Sequence, residues 1–152
     1  MCRLIFLVFF ISITGISFCQ IQNPASWSFT AKKITDNTYE VHLTATIESG
    51  WHMYSQTTPE GGPLPTVITF SKNALLILSG TPKEVGKLEK HHEPLFGVDV
   101  KQYSNKLDFV QSVKVKVKGK VKTSVSGSVE FMLCNNKECL PPKSVEFSIA
   151  IN

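Results

Sequence analysis

Residues 39–47, which read YEVHLTATI, decide the fold class of this 152-residue chain. Apolar residues occupy every second position from Tyr39 to Ile47, and mostly polar residues lie between them. This alternation is typical of a β-strand that buries one face and exposes the other, whereas an amphipathic helix repeats its apolar residues every three or four positions. We therefore predict a half-buried strand here.

Four further segments are rich in β-forming residues, and Gly, Pro, Asn and Ser residues separate them: residues 66–70, 107–117, 129–133 and 145–151. Lysines occupy every second position from 114 to 122, which predicts that the strand over residues 107–117 continues along them. The lysines then form a solvated face or protect an edge strand against pairing with another chain. No segment shows the apolar stripe of a helix. Short strands and frequent turns predict an all-β fold, an immunoglobulin-like antiparallel β-sandwich.

The first residues of the chain indicate export. A short basic start is followed by an apolar stretch from Leu4 to Phe18, too short for a membrane span, so we predict a signal peptide over residues 1–19 and one domain over residues 20–152. Lipid attachment at Cys19 is the alternative. The net charge of +4 is only mildly basic and does not indicate a nucleic-acid partner.

Two of the four cysteines, Cys134 and Cys139, lie outside the predicted signal peptide and flank the four residues 135–138. The predicted strands on either side place them across a hairpin, where a disulfide fits without distortion. Closing so short a loop contributes only roughly 2 kcal/mol of stability. A structural disulfide and a redox-active pair therefore both remain open, while a zinc site lacks a second Cys-x-x-Cys.

The adjacent histidines His91 and His92 raise a further alternative. Together with Met53 and the cysteine pair they have the soft ligands that Cu(I) prefers. Two solvated histidines in a loop are the simpler interpretation, and we predict no metal site.

Three segments carry a resemblance to a known family: FMLCNNKECLPP at 131–142, GWHMYSQ at 50–56 with GGPLP at 61–65, and HEPLFG at 92–97. Taken together and in this order, they resemble the N-terminal periplasmic domain of the bacterial thiol:disulfide interchange protein DsbD, also called the disulfide bond corrector domain. The similarity extends over roughly residues 25–152. The family's best-known members have five residues between their cysteines, whereas this chain has four.

The resemblance implies an immunoglobulin-like domain whose cysteine pair cycles between dithiol and disulfide without a cofactor. Such domains accept electrons from a thioredoxin-like module or a membrane thiol reductase. They pass the electrons to oxidised periplasmic proteins, including disulfide isomerases and cytochrome c maturation factors. By position, Cys139 matches the thiol that forms the mixed disulfide, and Cys134 matches the thiol that resolves it.

The same resemblance assigns a lid and a lining to the site. Leu95, Phe96 and Gly97 match the loop that caps the cysteines, and Tyr54 and His52 match aromatic positions of the active site. We expect a stand-alone domain that needs a separate electron donor. The alternative is a non-catalytic exported β-sandwich that binds a partner and carries a structural hairpin disulfide.

Overall fold

The computed structural model describes residues 23–94, 96–117, 119 and 122–152. These residues form strands and turns without a helix, and none of them belongs to a helix able to cross a membrane. The strands are β1 Ala25–Thr35, β2 Thr38–Ile47, β3 His52–Tyr54, β4 Val67–Phe70, β5 Leu76–Glu93, β6 Val98–Val115, β7 Thr123–Phe131, β8 Leu133–Cys134 and β9 Lys143–Ile151.

Two antiparallel sheets divide these strands. The large sheet has the order β1-β2-β6-β3-β8, with β5 paired to the other edge of β6, and the small sheet has the order β4-β7-β9. Strand β6 is the centre of the large sheet, because β2 pairs along residues 106–114 and β3 pairs along residues 102–104 of the same edge. One long strand thus joins the body of the sandwich to the part that β3 and β8 occupy.

The inner faces of the two sheets form one apolar core. Val41 and Leu43 of β2 are fully buried, as predicted from their alternation, and Phe109 of β6 is fully buried opposite Leu43. The small sheet contributes residues such as Val129. At Gly127 the strands are so close that an added Cβ would overlap the carbonyl oxygen of Thr69. The predicted all-β antiparallel sandwich is confirmed.

The structure corrects two predicted strands. The segment 129–133 is not one strand, since β7 ends at Phe131 and Leu133 pairs with Met53 in the large sheet instead. The chain changes sheets here because Leu133 buries its side chain in the core beside β3. The lysine-rich strand ends at Val115 rather than at 122, and Gly119 has the positive φ of a turn; Lys118 and Lys120 lie outside the described residues.

A long hairpin, β5–β6, was not foreseen. Strand β5 runs from Leu76 to Glu93 and pairs with β6 as far as Glu93 opposite Val98. His91 and His92, predicted to lie in a loop, therefore belong to a strand. The alternating pattern is weak in β5, because most of its side chains are exposed on both faces at the edge of the sheet.

Candidate redox site at the Cys134–Cys139 disulfide

Cys134 and Cys139 form a disulfide with a Cα–Cα distance of 4.1 Å, and their backbones make an antiparallel bridge. The turn between them has its own hydrogen bonds. Asn135 N–H donates to the Glu138 carbonyl at 2.9 Å, and the Asn135 side-chain oxygen accepts from the Lys137 and Glu138 amides at 2.8 and 2.9 Å. The predicted pairing is confirmed, in a turn whose conformation does not depend on the sulfur–sulfur bond alone.

The two cysteines differ sharply in exposure. Cys134 is only 1% exposed and packs with Tyr54 and Val100 in a small apolar cluster separate from the main core. Cys139 is exposed. Because the rate of thiol–disulfide exchange depends on which sulfur a partner can reach, an incoming thiolate meets Cys139 first.

The register of β3 places this site on the outer face of the large sheet, the face turned away from the small sheet. Met53 pairs with Leu133, and both side chains lie in the main core. The neighbouring pair, His52 opposite Cys134, points to the other side, because side chains alternate along a strand. Tyr54, two residues after His52, shares that outer face.

The tip of the β5–β6 hairpin reaches the same face. His91 lies opposite Val100 and Glu93 lies opposite Val98, so both project towards the cysteines. The result is a groove of about 720 Å³ along the disulfide. The groove is lined by His52, Tyr54, His91, Glu93, Pro94, Gln102 and residues 134–139.

Polar groups beside the disulfide form a chain. The Tyr54 hydroxyl lies 3.2 Å from His52 Nε2 and 3.5 Å from Glu93 Oε2. Burial, and then the Glu93 carboxylate, raise the pKa of Tyr54 to about 12. Burial lowers the pKa of His52 below its usual 6.5, although Glu93 acts in the opposite direction. At neutral pH, Tyr54 is therefore a neutral donor and His52 a neutral imidazole.

Phe96 and Gly97 of the predicted cap lie in the turn between β5 and β6. Gly97 has a φ of +67°, and its amide donates to the Glu93 carbonyl at 2.8 Å. Phe96 is 42% exposed and is not part of the groove lining, while Leu95 lies outside the described residues. Glu93 and Pro94 are the residues of this segment that line the groove. The capping role of Leu95, Phe96 and Gly97 stays a prediction.

Sequence reasoning overlooked several lining residues. Glu93 and Pro94 entered only as part of a matching segment, His91 only as a copper ligand, and Gln102 not at all. Gln102 lies opposite Tyr54, and its buried Oε1 has no hydrogen-bond partner in the described part of the chain. Their position in the sheet could have identified them. Alternate residues of paired strands lie on the same face, so these residues could be placed beside the cysteines once the β5–β6 hairpin was known.

The residues of the copper alternative do not all come together, although His91, Cys134 and Cys139 line the same groove. Met53 is fully buried on the core side of β3. His92 accompanies Asp99, with 2.8 Å between Nδ1 and Oδ1, whereas His91 lines the groove. Within the ranges that the structure describes, no three His, Cys, Asp or Glu residues form a group that could hold a metal ion.

Comparisons with known proteins agree with the fold. The family model of the N-terminal part of the thiol:disulfide interchange protein DsbD matches residues 20–150. No curated protein sequence matches the chain. Several solved structures are similar in fold, and their low identities make this a likeness of fold alone.

The first similar structure is the N-terminal periplasmic domain of ScsB from Proteus mirabilis, with 16% identity and a TM-score of 0.54. The alignment covers 86% of this chain and 47% of that chain, so this chain spans about half the length of that one. The second is the reduced DsbD N-terminal domain of Neisseria meningitidis, with 21% identity, a TM-score of 0.51 and coverages of 83% and 86%.

The third is the complex between the DsbD N-terminal and PilB N-terminal domains from Neisseria meningitidis, with 18% identity, a TM-score of 0.53 and coverages of 85% and 87%. The likeness to the DsbD domains confirms the immunoglobulin-like sandwich predicted from the strand pattern. With a family model that spans nearly all of the described residues, the chain belongs to the family of N-terminal domains of the thiol:disulfide interchange protein DsbD.

Proposed function

We propose that this chain is an exported thiol–disulfide exchange domain that relays electrons through the Cys134–Cys139 pair. The electrons come from a thioredoxin-like or membrane reductase partner and pass to oxidised proteins of the periplasm. The observation that carries the proposal is the asymmetry of the disulfide. Cys139 is exposed and can react with a partner sulfur, whereas Cys134 is buried and only 1% exposed.

The chemistry requires two substitutions at sulfur. In the reduced domain, the Cys139 thiolate attacks the disulfide of a target, forms a mixed disulfide and releases one target sulfur as a thiolate. Cys134 then loses its proton and attacks Cys139 Sγ. The Cys134–Cys139 bond forms, the bond to the target breaks, and the target leaves as a dithiol. Two electrons have passed to the target, and a donor dithiol returns two to the domain by the reverse steps.

The groove suits this exchange because it leaves one side of the disulfide open. Residues 136–139 are exposed at its rim, and the walls come from β3 and from the hairpin tip. Tyr54 and Val100 pack against Cys134 and keep this cysteine away from bulk water.

The partners and the compartment are part of the proposal. The related ScsB domain is a periplasmic domain, and the related DsbD domain forms a complex with a PilB domain. These facts support a periplasmic location and a protein partner for this chain. The predicted signal peptide over residues 1–19 lies outside the described residues.

A trapping experiment tests the assignment of the two thiols. Cys134→Ser should accumulate a mixed disulfide through Cys139 when the reduced protein meets an oxidised periplasmic extract, since the resolving thiol is gone. Cys139→Ser is the matched control and should trap little, because Cys134 is buried. Peptide mapping of the trapped species identifies the bonded cysteine. A trap that forms only through Cys134 would reverse the roles.

The reduction potential separates this function from the alternative of a non-catalytic binding module. A pair that exchanges electrons should equilibrate with glutathione buffers within the range of periplasmic and thioredoxin-like couples. A potential below about −300 mV would mark a structural disulfide and overturn the proposal. In that case the double variant Cys134→Ala/Cys139→Ala should keep whatever binding the domain has.

A further inference from the structure

We propose that His52 accepts the proton that the buried Cys134 thiol loses when it resolves the mixed disulfide, and that Tyr54 and Glu93 hold the imidazole ready for this. The inference deepens the proposed function and rests on it. Cys134 is 1% exposed in the disulfide form. A thiol in the same position would have little access to bulk water, so its proton needs an acceptor within the protein.

The sheet register puts His52 beside Cys134. The two residues are direct partners across the antiparallel β3–β8 pair, and their side chains lie on the same face. Side chains in such a position have Cβ atoms about 4.5–5.5 Å apart. Both residues line the groove that holds the disulfide. Among the histidines of the described chain, His52 is the one that the register pairs with a cysteine.

The neighbours of His52 select its tautomer. The Glu93 carboxylate can only accept, so the Tyr54 hydroxyl donates to it across the long 3.5 Å contact. The Tyr54 oxygen then accepts from His52 Nε2–H, 3.2 Å away. A neutral imidazole with its proton on Nε2 has Nδ1 as its acceptor, and Nδ1 has no hydrogen-bond partner within the described residues.

Charged and titratable groups around His52 come from each adjoining segment. Glu89, His91 and Glu93 face it from β5, and Tyr54 faces it from its own strand. On β6, Ser104 lies opposite His52 and Gln102 lies opposite Tyr54, and both are uncharged. The turn adds the two cysteines with Lys137 and Glu138 at the groove. Burial is the dominant influence and lowers the pKa of His52, so the acceptor form is present at neutral pH.

The proton and the electrons balance within the resolving step. The Cys134 S–H proton moves to His52, and the sulfur lone pair forms the bond to Cys139 Sγ. The Cys139–target bond breaks, and its electron pair leaves on the target sulfur. The His52 imidazolium then returns the proton to that thiolate or to water, so the domain ends as a disulfide with a neutral histidine.

The test is the rate at which a defined mixed disulfide resolves. The reduced protein is mixed with excess oxidised glutathione, the reaction is quenched in acid at intervals, and intact mass gives the glutathionylated, reduced and disulfide forms. In His52→Gln we expect resolution at pH 7 to slow by about 100-fold or more, as for the loss of a general base, while glutathionylation of Cys139 changes less than about twofold.

The pH profile distinguishes proton transfer from a structural effect. In the unmodified domain, resolution should slow as the pH falls through the lowered pKa of His52, below 6.5, because the imidazolium cannot accept a proton. In His52→Gln this inflection should vanish, leaving a rate that rises with thiol ionisation. His91→Gln, on the same groove, is the matched control and should keep the inflection.

Two outcomes overturn the inference: an unchanged resolving rate and profile in His52→Gln, or the same slowing in His91→Gln. Either would leave the proposed exchange function intact, provided that the mixed disulfide still forms and resolves. Failure to form any mixed disulfide in the unmodified protein would instead contradict the proposed function itself. Equal thermal unfolding midpoints of the two variants would show that both are folded.

Discussion

On the outer face of the large sheet, His42 in the body of the sandwich and His52 near the hairpin tip have different hydrogen-bond environments. In the body of the sandwich, His42 of β2 lies 2.7 Å from Asp108 of β6, and Thr44 donates to the same carboxylate at 2.9 Å. Near the hairpin tip, the hydrogen-bond partner of His52 among the described residues is the Tyr54 hydroxyl, at 3.2 Å, and His52 lies opposite a cysteine.

The difference between these two regions indicates that the body of the sheet serves stability and that the tip serves exchange. In the body, polar side chains on adjacent strands satisfy one another, and the inner face below them is fully buried at Phe109 and Leu43. At the tip, the groups converge on a disulfide and keep unused acceptors, on His52 and Gln102. Substitutions in the body should therefore change stability, and substitutions at the tip should change exchange.

Phe109→Ala should have the largest effect on stability. Phe109 is fully buried between the sheets, and removal of a buried aromatic ring costs about 3–5 kcal/mol. Chemical denaturation of the oxidised protein measures the free energy of unfolding. Under native conditions the glutathione exchange constant of the remaining folded protein should be unchanged, because the ring lies on the face opposite the disulfide. A shifted glutathione exchange constant would contradict the division of the sheet into a stabilising body and an exchanging tip.

Reduction of the disulfide should cost less, although it is the chemical centre of the tip. A six-residue ring constrains the unfolded chain by only about 2 kcal/mol, and the turn keeps the hydrogen bonds of Asn135. Denaturation with and without a reductant measures the difference. A loss of more than about 4 kcal/mol would show that the bond holds the fold together and would favour the structural alternative.

Asp108→Asn should destabilise by about 1 kcal/mol, since it weakens charge-assisted bonds from His42 and Thr44 but leaves an acceptor in place. Exchange with glutathione should stay within about twofold of the unmodified protein. Thr44→Val is the matched control, because it removes one of the two bonds and leaves the carboxylate. An exchange rate that follows the stability of these variants would show that the body and the tip are coupled.

Much of the fold followed from the sequence because the body strands bury one face. The alternation at Tyr39, Val41 and Leu43 predicted β2, and the short β4 and the last strand were also found. The β5–β6 hairpin was missed, since an edge strand with Ile77, Leu78 and Val85 exposed has no clear period. Sequence alone therefore predicted what the core required and missed what lies at the edge.

The candidate site shows the same limit. The disulfide pairing could be predicted, because the two cysteines are close in sequence. The position of Glu93 beside Tyr54 could not, since it depends on two strands of the large sheet that are 39 residues apart in the chain. Likewise the placement of His52 opposite Cys134 depends on β8 leaving the small sheet after Phe131. These are consequences of register, which the local pattern does not encode.

Tyr54→Phe should have the smallest effect on stability at neutral pH, about 0.5 kcal/mol, because its contacts with His52 and Glu93 are long. This cost should shrink and then reverse in alkali, because the unmodified protein loses stability there and the Phe variant does not. The pKa of Tyr54 is raised to about 12 in the folded chain against 10 for an unperturbed tyrosine, so the unfolded chain ionises first. The stabilisation is complete below pH 10 and is lost as the pH rises from 10 to 12.

Tyr103→Phe provides the comparison, since burial and a 2.9 Å hydrogen bond to Glu84 also raise the pKa of Tyr103 to about 12. Denaturation between pH 9 and 11.5 measures how steeply the free energy of unfolding falls with pH. In each variant this fall should be less steep than in the unmodified protein, by the equivalent of up to about one bound proton. Only Tyr54→Phe should alter the pH profile of mixed-disulfide resolution, because Tyr103 points into the core. Equal changes in both profiles would mean that the tip responds to the sheet as a whole rather than to the groups beside the disulfide.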